Sequence, residues 1–205
     1  MLCHRIVTIF TDMSTRDKDA TKRKILQALG DLICDGFDEV GVNRIAERAG
    51  VDKVLIYRYF GGLPGLLAAF AHEGDAWPEF EEIMETAPYV AAMLPPEEAG
   101  ARFVHGFIRE LQSRPATQEI LRWELVKEND LTRETAAVRE QRLGEVLECY
   151  HGSEEDPAAM HALLAAGILH LILHAKTSEQ FCGIPLRTPE GWARIERVAT
   201  KMLAP

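Results

Sequence analysis

The sequence predicts an all-α fold, a three-helix N-terminal head on a larger helical body, on three observations. Apolar residues recur at helical spacing nearly throughout the chain, and the alternation expected of half-buried strands is absent. Prolines stand where segments begin, at Pro78, Pro95-Pro96, Pro115, Pro157 and Pro189. Composition is that of an ordinary globular chain, with 47% hydrophobic and 27% charged residues in 205.

The elements follow in order. Residues 1–14 read as a disordered or extended arm, with 1–12 an upstream extension ahead of Met13-Ser14. A signal peptide needs a longer apolar core and a small-residue cleavage site. Residues 18–35 place Ile25, Leu29, Leu32 and Ile33 on one helical face, and Gly36 sits where a C-cap belongs. Two short helices follow at 43–49 and 53–59, separated by Gly50-Val51-Asp52. Asp52 is a good N-cap. Gly61-Gly62 breaks the chain, and Pro64 suits the first turn of the next helix, which runs to about Gly74. Further helices are expected near 77–86, 96–112, 116–128, 131–150 (capped by Asp130), 157–176 and 189–203. The domain division that results is 15–62 for the head and 63–205 for the body.

The segment 42–60 carries the functional signal. Ala46 is small enough for two helices to cross. Gly50, four residues on, suits a left-handed turn, and Ile56 plugs the gap between the helices. Small, glycine and aliphatic residues at those offsets are what a helix-turn-helix requires. Its second helix would enter the major groove of double-stranded DNA. Lys53, Val54 and Leu55, at its start, face base edges, with the apolar pair suited to thymine methyls. Tyr57 and Tyr59 offer hydroxyls, and Arg44 and Arg58 cations, to phosphates.

Charge distribution agrees. The net charge is −9, but residues 15–60 carry nine basic against eight acidic groups, and residues 61–205 thirteen against twenty-three. The acidity belongs to the body, and Lys22-Arg23-Lys24 cluster in the head.

Ile45-Ala46, Ala49-Gly50-Val51 and Ile56-Tyr57 with Tyr59-Phe60 resemble the DNA-binding head of TetR-type (tetracycline-repressor-like) regulators over about residues 20–70. Phe181, Gly183-Ile184 and Gly191-Trp192 are similar to the last-helix region of some members. The pattern departs at Gly41 and Asp52, where the family usually has Ser or Thr, and at Gly62-Leu63 in place of a Ser/Asn-Lys pair. The resemblance implies a cytoplasmic, nucleoid-associated repressor, a homodimer with a small-molecule site in each body.

For that site the sequence offers Trp77, Met84, Phe103, Phe107, Trp123 and His174, an aromatic and Met-rich set suited to an apolar effector. For the dimer interface it offers Leu163, Ala166, Gly167, His170, Leu171, Trp192 and Ile195. Small residues there permit close approach and large ones supply area.

Other classes find less support. The apolar stretch Ala162–Ala175, interrupted by His170 and His174, reads as a buried helix rather than a membrane span. His170 and His174 have metal-ligand spacing without a clear third ligand, so no metal or cofactor is expected. The four cysteines form no C-x-x-C pair and read as reduced thiols. A helical enzyme would need more than the single Glu148-x-x-His151, and no nucleophile or phosphate-binding motif occurs. No catalytic residue is therefore assigned. The alternative reading is a helical enzyme or interaction module that does not bind DNA.

Overall fold

A computed structural model describes residues 2–36, 40–73, 76–149 and 156–203, with side chains from Asp17 onward. Gly74, Tyr150 and His151 lie outside the described residues. The described residues form eleven helices and one two-residue hairpin.

The helix α1 (Leu2–Asp35) is longer than the 18–35 stretch its periodicity predicts and takes in residues assigned above to an arm. No proline, and no glycine before Gly30, stands in its way. Then come α2 (Val42–Ala49), α3 (Lys53–Phe60) and α4 (Leu63–Glu73). The helix expected over 77–86 is the shorter α5 (Phe80–Met84), and a second short piece not expected from the sequence, α6 (Pro88–Ala91), follows it. Glu85 adopts a left-handed φ of 53° and ends the first piece. The long body helices are α7 (Pro96–Ser113), α8 (Pro115–Glu124), α9 (Asp130–Glu148), α10 (Pro157–Ala175) and α11 (Pro189–Met202). Asn129, not Asp130, caps α9, because its side chain and that of Thr132 satisfy each other's backbone N–H reciprocally.

Between α10 and α11 two strands, β1 (Gln180–Phe181) and β2 (Ile184–Pro185), pair antiparallel, Phe181 opposite Ile184. Two residues per strand are too few for alternation to register in a sequence. Their turn, Cys182-Gly183, has positive φ at both positions, 49° and 74°, as a tight hairpin with right-handed strand twist requires.

Two apolar clusters hold the chain together. One joins α1 to α4 through Leu29, Ile33, Ile45, Ile56, Leu66 and Phe70, and continues into Ile120, Trp123 and Leu131 of α8 and α9. A boundary after residue 62 thus cuts through a packed cluster: α4 belongs by packing to the head and leads into the body. The second fills the body, with Phe80, Ile83 and Met84 of α5 against Phe103, Phe107 and Leu111 of α7, and Ile168 and Ile172 of α10. The helix α4 also packs along α9, with His72 at 3.5 Å from Glu134.

One expectation needs correcting. The helix α10 is 19 residues long and, by length and composition, apolar enough to cross a membrane. Pro157–Met160 extends the apolar stretch that the sequence reading counted only from Ala162. Only Leu164, Ala165, Ile168 and Ile172 of this helix are buried in the single chain.

Candidate nucleic-acid interface

The helix pair α2–α3 is built from local rules. Gly50 takes φ +66°, and its N–H donates to Glu47 O at 3.1 Å, while Val51 N–H donates to Ala46 O at 3.0 Å. The turn closes α2 and starts α3 in three residues, Gly50 to Asp52. Asp52 then caps α3, its Oδ1 accepting from Val54 N–H at 2.8 Å. Ile45 and Ile56 are fully buried and Ala46 nearly so, which places the crossing where the sequence spacing put it. Gly41 adopts an extended conformation and contributes no side-chain cap to α2.

The other face of α3 is open. Lys53 and Arg58 are exposed, Val54 is 62% exposed and Tyr57 56%. Leu55 differs from expectation: it is half-buried against the head's core, because it shares a helix face with Tyr59, its i, i+4 neighbour, rather than the outward stripe of Val54 and Tyr57. Tyr59 is also half-buried, and its ring collects cations, with Arg58 5.9 Å and Lys18 Nζ 5.9 Å from its centre. Lys22 Nζ stands 5.7 Å from the Phe60 ring. The α1 lysines thus join the end of α3, a placement that sequence reading missed. Arg44 is exposed on α2, and Arg48 ties α2 to α1 through Asp35 at 2.6 Å.

One further residue sets the head on its linker. A Cβ at Gly65 would fall 1.8 Å from Phe60 O, so only glycine lets α4 pass this close to the end of α3.

The body contains a half-open groove of about 550 Å³ between α8, α9 and α10. Leu143, Gly144, Val146 and Leu147 form one wall, and Ala162, Ala165, Ala166, Leu169 and Leu173 the other. Phe103 and Leu121 close its floor. At one end Arg139 makes a two-pronged pair with Glu124, at 2.8 and 2.7 Å. The Glu124 hydrogen bonds push the guanidinium further up in pKa, and burial only partly opposes them. His161 and His170 add polar edges to the α10 wall. His161 Nδ1 is 2.8 Å from Pro157 O, a carbonyl that can only accept.

Of the residues expected to bind a ligand, Phe103 alone lines this groove. Trp77, Met84 and Phe107 are core, and Trp123 packs with the head's cluster. His174 stacks on His170 at 5.5 Å and meets the Phe181 edge at 5.2 Å, away from the groove walls. Large aromatic rings gain most by full burial, so they fill the core and leave the walls to leucines and alanines. Two residues expected at a dimer interface, Ala166 and His170, also border the groove. Leu163 is 73% exposed, Gly167 and His170 are exposed, and Leu171 is half-buried. Ile195 is half-buried. Trp192 leans into the body, its Nε1–H donating to Leu186 O at 2.7 Å.

Among the described residues no group of three or more His, Cys, Asp or Glu could hold a metal ion. Cys34, Cys149 and Cys182 form no disulfide with one another, and burial pushes the first two up in pKa.

Residues 25–70 match the family described as bacterial regulatory proteins, tetR family. No curated protein matches the chain by sequence. Several solved structures share the fold. A fatty acid degradation regulator, FadR, from Bacillus halodurans is 18% identical, with a TM-score of 0.66, over 89% of this chain and 94% of that one. A putative TetR-family regulator from Rhodococcus sp. is 20% identical, TM-score 0.65, over 90% and 100%. The regulator FadR from Bacillus subtilis, in complex with stearoyl-CoA, is 15% identical, TM-score 0.64, over 89% and 97%. At these identities the likeness shows the fold.

Proposed function

We propose that this chain, whose residues 25–70 match the tetR family of bacterial regulatory proteins, is a member of that family and a cytoplasmic, nucleoid-associated repressor that binds a palindromic operator as a homodimer and is released by a small apolar or aromatic effector. The observation that carries the reading is the open face of α3. A capped helix, fixed by Ile45, Ala46 and Ile56, presents Lys53, Val54 and Tyr57 outward beside Arg58, with Lys18 and Lys22 at its end. Lys53 and Val54 read base edges, with Leu55 reaching them only by its tip. Arg44, Tyr57, Arg58 and Tyr59 hold phosphates.

One head reads too few base pairs for useful specificity. Two heads about 34–36 Å apart would read successive major grooves, and this requires a two-fold dimer. The exposed apolar face of α10, with Leu163, Gly167, His170 and Leu171, supplies the pairing surface, flanked by Ile195 and Trp192 of α11.

The groove is the effector site in this reading. Its volume falls in the range of small-molecule sites, roughly 300–1,000 Å³. Gly144 supports the reading. A Cβ there would meet nothing within 4 Å, so the bare backbone leaves room in the groove rather than serving the chain's own packing. The stearoyl-CoA carried by the Bacillus subtilis FadR structure shows that one protein of this fold takes a long apolar chain. The groove wall α9 lies along α4, and α4 carries the head. An effector that shifts α9 would therefore change head separation, which is differential affinity of two states for DNA.

Electrophoretic retention of the DNA upstream of its own gene tests the reading. Specific retention is expected. Failure to retain any such fragment at low salt would sink it.

A further inference from the structure

Trp77 is 95% buried, and its indole Nε1–H has no acceptor within reach among the described residues. A buried donor left unpaired loses its water without recompense, and such groups are rare enough to require a reason. The surroundings suggest one. Trp77 packs against Phe107 at 6.0 Å, and Phe107 stacks on Phe103 at 5.2 Å. Phe103 is groove wall, so a row of three rings runs from the groove inward to the linker after α4. From the other side the Arg139 guanidinium, which also lines the groove, sits 5.9 Å from the centre of the Trp77 ring. Trp77 thus stands one side chain behind the wall, screened by Arg139, which Glu124 holds in place.

We infer that the Trp77 indole N–H is the specificity donor of the effector site, and that the effector is an apolar or aromatic molecule bearing a hydrogen-bond acceptor such as a carbonyl. This rests on the groove being the effector site. The apolar part fills the space beside Gly144 and Leu169. The acceptor passes the Arg139 side chain and takes the indole hydrogen. A ligand without an acceptor can occupy the groove but leaves the donor unpaired, so the site discriminates by chemistry as well as by shape. Trp77 lies four residues beyond the end of α4, so the same hydrogen bond would bear on the segment that joins α4 to the body.

Two probes of matched shape test this: benzylacetone, with a carbonyl, and butylbenzene, without one. Their affinities for the full chain and for Trp77→Phe are to be measured by calorimetry. The variant keeps an aromatic ring in the core and removes the N–H along with the rest of the pyrrole ring. Benzylacetone is expected to bind the wild type at least tenfold more tightly than butylbenzene, the factor that about 1.4 kcal/mol produces. That advantage should vanish in the variant. A second reading uses the wild type alone, labelled with nitrogen-15 at its three tryptophans. The Trp77 indole signal, assigned by elimination with Trp123→Phe and Trp192→Phe, should move downfield with benzylacetone and not with butylbenzene. Equal affinities for both probes, absence of binding by benzylacetone, or an unmoved Trp77 signal would each overturn the inference. DNA retention by the wild type, measured without probe, reports separately on the regulator reading.

Discussion

Gly50 and Glu110 show how single residues set the behaviour of each half. Gly50 holds φ at +66°, a region that costs a residue with a Cβ about 1–2 kcal/mol. No atom lies within 4 Å of a Cβ built there, so the cost is purely conformational. Gly50→Ala should lower stability by about that amount, read as a fall in urea midpoint at unchanged slope. The Ala46–Gly50–Ile56 spacing was legible in the sequence because backbone geometry and a small contact demand those types at those offsets. Lys18 was not, since its place beside Tyr59 depends on how α1 crosses α3. Glu110 illustrates charge in the body. Burial raises its pKa, but hydrogen bonds from Arg114 and Arg109 outweigh burial and hold the carboxyl below its ordinary value. A depressed acid stabilises the fold fully above its unfolded pKa, about 4.3, and the contribution disappears as pH falls through the folded value. Glu110→Gln should therefore lower stability at neutral pH and show a shallower loss below about pH 4.3. Parallel curves for variant and wild type in acid melts would refute this.

At the scale of elements, the short α5 is held by arginines from three neighbours. Arg114 pairs with Glu82 at 2.7 Å, Arg142 with Glu79 at 2.5 Å, and Arg109 with Glu85 while donating to Glu82 O at 2.7 Å. None of this was visible in the sequence, where 77–86 read as one helix. Periodicity reports which face is apolar, not which acids meet which bases. The groove was illegible for a related reason. Its walls are largely leucines and alanines on three successive helices, and which faces of those helices meet is set by packing rather than by spacing, while the conspicuous aromatics went to the core. Gly144 offers the cleanest test at this scale. It sits mid-helix in α9, where glycine costs about 0.5–1 kcal/mol relative to alanine. Gly144→Leu should leave folding unharmed, since no neighbour crowds the position. It should fill the groove and weaken benzylacetone binding at least tenfold while DNA retention persists. Undiminished probe affinity would place the effector elsewhere.

The whole molecule poses an electrostatic problem that α10 answers. Residues 61–205 carry a net charge of −10, so two bodies brought together repel. The helix α10 contains no Asp, Glu, Lys or Arg along its 19 residues. It is the long face on which two acidic bodies can meet without opposing carboxylates. In the proposed dimer its composition, which by length and apolarity alone would suit a membrane span, is that of an interface. Gly167 sharpens the case. It is exposed in mid-helix, and a Cβ there would meet nothing within 4 Å, so the chain's own fold gives no reason for glycine. Close approach by another backbone does give one, and in a two-fold pair that backbone is the partner's α10. Gly167→Leu should then keep or slightly raise the stability of the isolated chain, because leucine is the better helix former. The same change should shift the protein from dimer to monomer in sedimentation equilibrium, and operator retention should fall with it, because a single head loses the contacts of the second half-site. A dimer of undiminished strength in Gly167→Leu would move the pairing surface off α10.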